Sequence, residues 1–206
     1  MANVRTVALT REEYTQIIKA ILTGFTSKDG VMVRPNERMA TILTMEANTG
    51  MRIGDILGLR LDNIIKDGNR YRLDIIEEKT GKKRTYTVPT EIYLFLLEYA
   101  NKHNIKKTAK LFDVGVRVVQ KHITMVSEYL GLERVSTHSF RKFYATEIYN
   151  NNDCNIELVR QLLQHVNTTI TQKYIGISNK QVERAIANHV CIVKLEEPEA
   201  AEVMQE

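Results

Sequence analysis

Asn63-Ile-Ile-Lys-Asp-Gly-Asn-Arg-Tyr-Arg-Leu-Asp-Ile-Ile-Glu-Glu-Lys-Thr-Gly-Lys-Lys-Arg-Thr-Tyr-Thr-Val-Pro89 decides the fold. Tyr71, Leu73 and Ile75 alternate with Arg70, Arg72 and Asp74, and Tyr86 and Val88 answer them from Lys82 onward. A period of two puts successive side chains on opposite faces of a strand. Asp67-Gly68 and Thr80-Gly81 are turn signals between the runs. The stretch reads as a small antiparallel sheet of two or three strands.

Outward from that island the period is helical. Upstream, Thr10-Arg-Glu-Glu13 has the form of a capping box, and Ile17, Ile18, Ile21, Leu22 and Phe25 continue an apolar stripe. A first helix is expected over residues 10–25, then a loop at 26–36. A second helix, 37–48, closes at Thr49-Gly50, where glycine suits the left-handed C-terminal position, and a short one follows at 53–58. Downstream, helices are expected at 90–101, 106–112, 116–130, 139–151, 156–164, about 169–174, and 178–190. The whole is mainly α with a small antiparallel β-sheet, an α+β chain. It divides into one domain, residues 1–190 (first helix 10–25, sheet 63–89, helical part 90–190), and an acidic, mobile tail, 191–206.

The chain has 206 residues, 43% apolar and 26% charged, enough for one sizeable core. No apolar run approaches the roughly 18 residues of a membrane span, and the polar start does not resemble a signal peptide. Cys154 and Cys191 form no CxxC pair, so two free thiols in a reducing cytoplasm are expected. The formal net charge is +4; the tail from Cys191 carries one Lys and five Glu, which leaves +8 on residues 1–190. The cations cluster at Lys79/Lys82/Lys83/Arg84, Lys102/Lys106/Lys107/Lys110 and Arg141/Lys142. Such a surface either stands solvated or attracts a polyanion, nucleic acid first.

Three short pieces carry chemistry. In Thr49-Gly-Met-Arg-Ile-Gly-Asp-Ile-Leu-Gly-Leu-Arg60, Arg52 follows a helix stop and Asp55 comes three residues later, a guanidinium beside a carboxylate or a plain surface pair. In Thr137-His-Ser-Phe-Arg141, His138 and Arg141 share a face at a helix start, capped by Ser136 or Thr137, a setting that suits an anion or plain solvent. In Leu162-Leu-Gln-His-Val-Asn-Thr-Thr-Ile-Thr-Gln-Lys-Tyr174, His165 ends an apolar helix and Tyr174 stands nine residues on. Taken alone, Tyr174 reads as a half-buried core residue with its hydroxyl at the surface.

Arg, Lys in a hairpin, His-x-x-Arg, His and Tyr, in that order, resemble the active-site signature of the tyrosine recombinases, the phage integrase family. The resemblance spans about Thr10 to Val190 and rests on TGMRIGDILGLR, KTGKKR, HSFRKFYAT and LLQHVNTTITQKYI. It implies the DNA breaking-rejoining fold and a site-specific recombinase acting on double-stranded DNA without metal or other cofactor. Tyr174 would be the nucleophile of a covalent 3′-phosphotyrosine. Arg52 and Arg141 would bind the non-bridging oxygens, and His138 and His165 the phosphate, with His138 also taking or returning the Tyr proton. Lys79, with Lys82 as the alternative, would protonate the leaving 5′-oxygen, and Asp55 would support Arg52. Lys82, Lys83, Arg84 and Lys142 are expected to contact DNA. The chain departs from the family at Lys142, where a His is usual, and at Gln164, where a Gly is usual. A separate N-terminal core-binding domain is expected to be absent.

Lys106 to Ile123 also reads as a helix-turn-helix with its turn at Val114-Gly115, which would set Arg117, Gln120 and Lys121 on DNA. This supports a second reading, a non-catalytic DNA-binding regulator; a type IB topoisomerase is a third. The stripe Val182, Ala185, Ile186 and Val190 makes Ser178–Val190 the expected contact with other protomers of a tetramer on DNA, the chain being a monomer without it.

Overall fold

The computed structural model describes residues 6–76, 78, 81, 83–163, 165, 167–172 and 174–175. All of these lie within one unit, Met1–Gly176. The helix expected at 178–190, the boundary expected at 190, the acidic tail, Lys79, Lys82 and Cys191 lie outside the described residues. Cys154 is a free, exposed thiol.

The first helix, α1 (Arg11–Thr23), starts at the expected capping box: Thr10 Oγ1 accepts the Glu13 N–H at 3.1 Å, and the Thr10 N–H donates to Glu13 Oε2 at 2.7 Å. Strands β1 (Phe25–Thr26) and β2 (Met32–Val33) follow, an antiparallel pair inside the span expected to be a loop. Its turn closes because Ser27 N–H donates to Val31 O and Gly30, at φ 77°, donates back to Ser27 O.

Helix α2 (Glu37–Thr49) is the buried axle of the molecule, with nine of its thirteen residues buried. It packs against α1, against α3 (Ile53–Leu57), α4 (Thr90–Lys102) and α6 (Thr137–Asn151). Between α3 and α4 lies the expected sheet, three antiparallel strands in the order β3 (Ile64–Asp67), β4 (Arg70–Ile76), β5 (Lys83–Val88). Asp67 pairs Arg70 across a Gly68-Asn69 turn, and β4–β5 runs from Tyr71↔Val88 to Ile76↔Lys83. Leu73 and Val88 face the core, 1% and 2% exposed. Helices α5 (Val116–Leu130), α7 (Ile156–Leu163) and α8 (Thr168–Gln172) complete the fold.

One expected helix is absent. Residues 106–112 form a turn and an isolated bridge between Lys110 and Arg60. Leu111 N–H donates to Leu59 O at 2.8 Å, and Leu111 and Phe112 are buried. A seven-residue helix repays its nucleation poorly, whereas the extended chain gains backbone partners from Leu59–Arg60 and sinks two large apolar side chains. The helix-turn-helix therefore lacks its first helix, and the reading of a helix-turn-helix regulator loses its motif. Helix α5 stands alone, with Arg117, Gln120 and Lys121 exposed and Val119, His122, Ile123 and Val126 buried.

Candidate active site

The site is built where helices end. Gly50, the C-cap of α2, adopts the left-handed conformation at φ 60°, and its N–H donates to Glu46 O. A β-carbon there would collide with the ring of Tyr144 from α6. Glycine thus satisfies both the turn and the close approach of α6. Two residues on, half-buried Arg52 is the N-cap of α3 in extended conformation, and its carbonyl accepts from Ile56 N–H at 3.1 Å. Asp55, 7% exposed, accepts the backbone N–H of Glu78 at Oδ1, 2.9 Å. This carboxylate ties α3 to the turn beyond β4, the segment that carries Lys79. The Glu78 carboxylate in turn lies against Gly54, where a β-carbon would strike it.

Arg141, on the first turns of α6, is 2% exposed. Its Nη1 donates to the Gly50 carbonyl and its Nη2 to the Leu163 carbonyl at 3.0 Å. One guanidinium therefore joins the C-terminal ends of α2 and α7, satisfying carbonyls that a helix end leaves open. The start of α6 is set by Ser139 Oγ, which accepts the Ser136 N–H at 3.1 Å. His138, one residue into that helix, is exposed.

His165 follows α7 directly and is 7% exposed. Its Nδ1 shares a hydrogen bond with Thr171 Oγ1 at 3.1 Å, its N–H donates to Arg160 O at 3.0 Å, and its carbonyl accepts Arg160 Nη1 at 2.9 Å. Arg160 is itself held by Glu157, whose carboxyl its guanidinium lowers to a pKa of about 2. Tyr174 follows α8, donating its N–H to Thr171 O at 2.8 Å. Its ring is 4.7 Å from the His165 ring, and the Arg141 Cζ stands 5.9 Å from its centroid, within cation–π reach. The ring also rests on the small cluster of Ala145, Val159 and Leu163. Tyr174 is half-buried, as a core reading expects, and stands in the cation cluster as well.

Of the residues singled out in the sequence, Arg141, His165 and Tyr174 meet directly, and Arg52 lies two residues beyond Gly50, whose carbonyl accepts from Arg141. Lys142 departs from expectation: it is 8% exposed and its Nζ donates to the Thr6 carbonyl, so it seals a protein seam instead of facing phosphate. Lys83 is exposed beside a cleft of about 1080 Å³ between α3, the sheet and residues 110–116, and Arg84 of β5 is the register partner of Ile75 in β4. Sequence reading missed Glu46, Arg160 and Thr171. The first stands between Met45 and Ala47 in the helix ahead of the Gly50 stop; the other two act through contacts made only when the turn folds.

The model of the phage integrase family matches residues 8–181. The chain belongs to that family. This phage integrase family member is 29% identical over 163 residues to the probable integrase/recombinase YoeC of Bacillus subtilis (strain 168), covering 75% of the chain and 86% of YoeC. It is 26% identical over 191 residues to the tyrosine recombinase XerC of Caldanaerobacter subterraneus subsp. tengcongensis, covering 87% of the chain and 50% of XerC. Among solved structures, it matches the XerH site-specific recombinase in a post-cleavage complex with palindromic difH substrate. That match has a TM-score of 0.68 at 19% identity and covers 91% of the chain and 54% of XerH. The chain spans about half the length of these last two proteins. Its mainly α fold with small antiparallel sheets is that of tyrosine recombinase catalytic domains. No helix among the described residues is long and apolar enough to cross a membrane.

Proposed function

We propose that the chain is the catalytic part of a site-specific recombinase that breaks and rejoins double-stranded DNA through Tyr174. The observation that carries this reading is the convergence of a phenol, an imidazole and a buried guanidinium at the ends of α7, α8 and α2. The Tyr174 oxygen attacks the scissile phosphorus, its proton passing to His138, and a 3′-phosphotyrosine forms as the bond to the 5′-oxygen breaks. Lys79 gives that oxygen its proton. Arg52, Arg141 and His165 hold the non-bridging oxygens, where fixed donors meet the charge that develops. The new ester keeps the bond energy, so the reverse attack by a 5′-hydroxyl reseals the strand without nucleotide or metal.

The exposed face of α5 (Arg117, Gln120, Lys121) and the cations Lys82, Lys83 and Arg84 bind the duplex, and Ser178–Val190 joins neighbouring copies on it. Incubating the protein with nicked suicide duplexes in EDTA, then denaturing, tests the reading. A covalent protein–DNA adduct is expected from the parent and none from Tyr174→Phe, with DNA binding nearly unchanged. Adduct from the Phe variant would move the nucleophile to another tyrosine. Adduct and plasmid relaxation without site preference would favour a topoisomerase.

A further inference from the structure

Thr171 lies in α8, three residues before Tyr174, and is fully buried. It touches both His165 and Tyr174. Its Oγ1 lies 3.1 Å from Nδ1 of His165, and its carbonyl accepts the Tyr174 N–H at 2.8 Å. The backbone of His165 has a separate hold: Arg160 O accepts its N–H at 3.0 Å, and Arg160 Nη1 donates to its carbonyl at 2.9 Å. Arg160 therefore bears on where the residue sits, and the Thr171 hydroxyl on how its ring is turned and where the ring proton resides. A hydroxyl has one proton to give. Two acceptors lie in its reach, Nδ1 at 3.1 Å and the Asn167 carbonyl at 3.5 Å, which is long for an O–H···O bond. The nearer acceptor takes the proton. In the neutral imidazole the ring proton is then on Nε2, because the hydrogen bond at one ring nitrogen decides the state of the other.

We propose that Thr171 is a positioning residue for His165: its hydroxyl donates to Nδ1, keeps the ring proton on Nε2, and so lets a neutral imidazole donate to the scissile phosphate. The inference rests on the reading of His165 as a phosphate ligand. Such a ring donates without first gaining a proton, so the donor does not depend on the imidazolium form. With the proton on Nδ1 instead, a neutral ring would offer the phosphate a lone pair at Nε2 and no hydrogen bond. Because the carbonyl of the same residue holds the Tyr174 N–H, one buried threonine spans the imidazole and the nucleophile.

Two measurements test this. Imidazole nitrogen NMR at about pH 8, where an ordinary histidine is neutral, reads the tautomer without DNA, the His165 signals being assigned by their loss in His165→Asn. The parent is expected to carry its proton on Nε2. Thr171→Val, which keeps the shape and drops the hydroxyl, is expected to show a mixture of the two tautomers. A parent with a proton on Nδ1 overturns the proposal. The second measurement is single-turnover cleavage of a suicide duplex, with DNA affinity and Tm alongside. Thr171→Val should keep DNA affinity and lose cleavage about tenfold to a hundredfold, the scale on which a misplaced or missing donor acts. Thr171→Ser, which keeps the hydroxyl, should recover cleavage to within about threefold of the parent. A folded Val variant that cleaves at the parent rate overturns the proposal, as does a Ser variant as slow as Val. Should Val fail to fold, Thr171→Ala is measured against the same outcomes, and the tautomer of the parent needs no variant. A parent that shows the Nε2 tautomer yet forms no adduct refutes the recombinase reading instead, which keeps the two failures apart.

Discussion

The surroundings of Arg52 and Arg141 are built in opposite ways around one short stretch of chain. Arg141 is sunk in the core and grips the ends of two helices, so its place is set by the same packing that holds the domain together. Arg52 is half-buried at the start of a five-residue helix, and Asp55 of that helix reaches beyond β4 to accept the Glu78 N–H. Half of the site is preorganised by burial and half is held by a latch. The first half is costly to disturb, and the second is where substrate or partner can set the geometry at little cost in stability.

The sharpest way to break this comparison is to remove each arginine. Arg141→Ala and Arg52→Ala should both cut cleavage by about 10²–10³-fold, the scale for losing a donor to developing charge. They should differ in stability: Arg141→Ala strands two carbonyls, each costing about 1–3 kcal/mol, while Arg52→Ala stays within about 1 kcal/mol of the parent. Urea unfolding decides it, and equal stability losses would dissolve the distinction. A smaller effect is expected at the latch. Lys79→Ala should slow cleavage and be rescued by a 5′-thio leaving group, which departs without a proton donor. Asp55→Leu should slow cleavage about tenfold by freeing the turn, with partial rescue by the same substrate. Rescue of Lys82→Ala in place of Lys79→Ala would transfer the acid role.

The smallest effects are in pH dependence, and they oppose each other in sign. Glu46 has a folded pKa above its unfolded one, so its contribution to stability is present below about pH 4 and is lost as pH rises. Glu46→Gln should therefore match the parent in acid and exceed it increasingly towards neutral pH. Glu157 is lowered to about 2 by Arg160, so its contribution is present at neutral pH and is lost as pH falls from about 4 towards 2. Exposed as it is, Glu157→Gln should change Tm little and cleavage about twofold or less, through the Arg160 hold on His165. Thermal melts from pH 3 to 8 would show both trends, and parallel curves for the two variants would contradict them.

Much of the fold was legible because its signals are local. The capping box at Thr10–Glu13, the glycine stop at Gly50 and the period of two across β4 and β5 each depend on neighbours in sequence. Residues 106–112 were not legible, since their conformation is decided by Leu59 and Arg60, some fifty positions away. Lys142 misled for the same reason: a cation beside Arg141 reads as a phosphate contact until the N-terminal segment is seen to cover it. The order of Arg52, His138, Arg141, His165 and Tyr174 could be recognised, but the hydrogen bonds that Thr171 and Arg160 make to His165 belong to the folded turn.

The seam at Lys142 also has a mechanical meaning. Among the described residues, the chain ahead of α1 is fastened to α6 and its approach by Lys142 Nζ to the Thr6 carbonyl and Val7 N–H to Arg134 O, and the start of α1 by Arg11 to Glu147. Lys142 is the next residue after Arg141. A load applied at Thr6 is thus passed directly to the helix that carries Arg141. The N-terminal segment is in effect a lever fixed to that helix, and tension on it is felt one residue from the guanidinium.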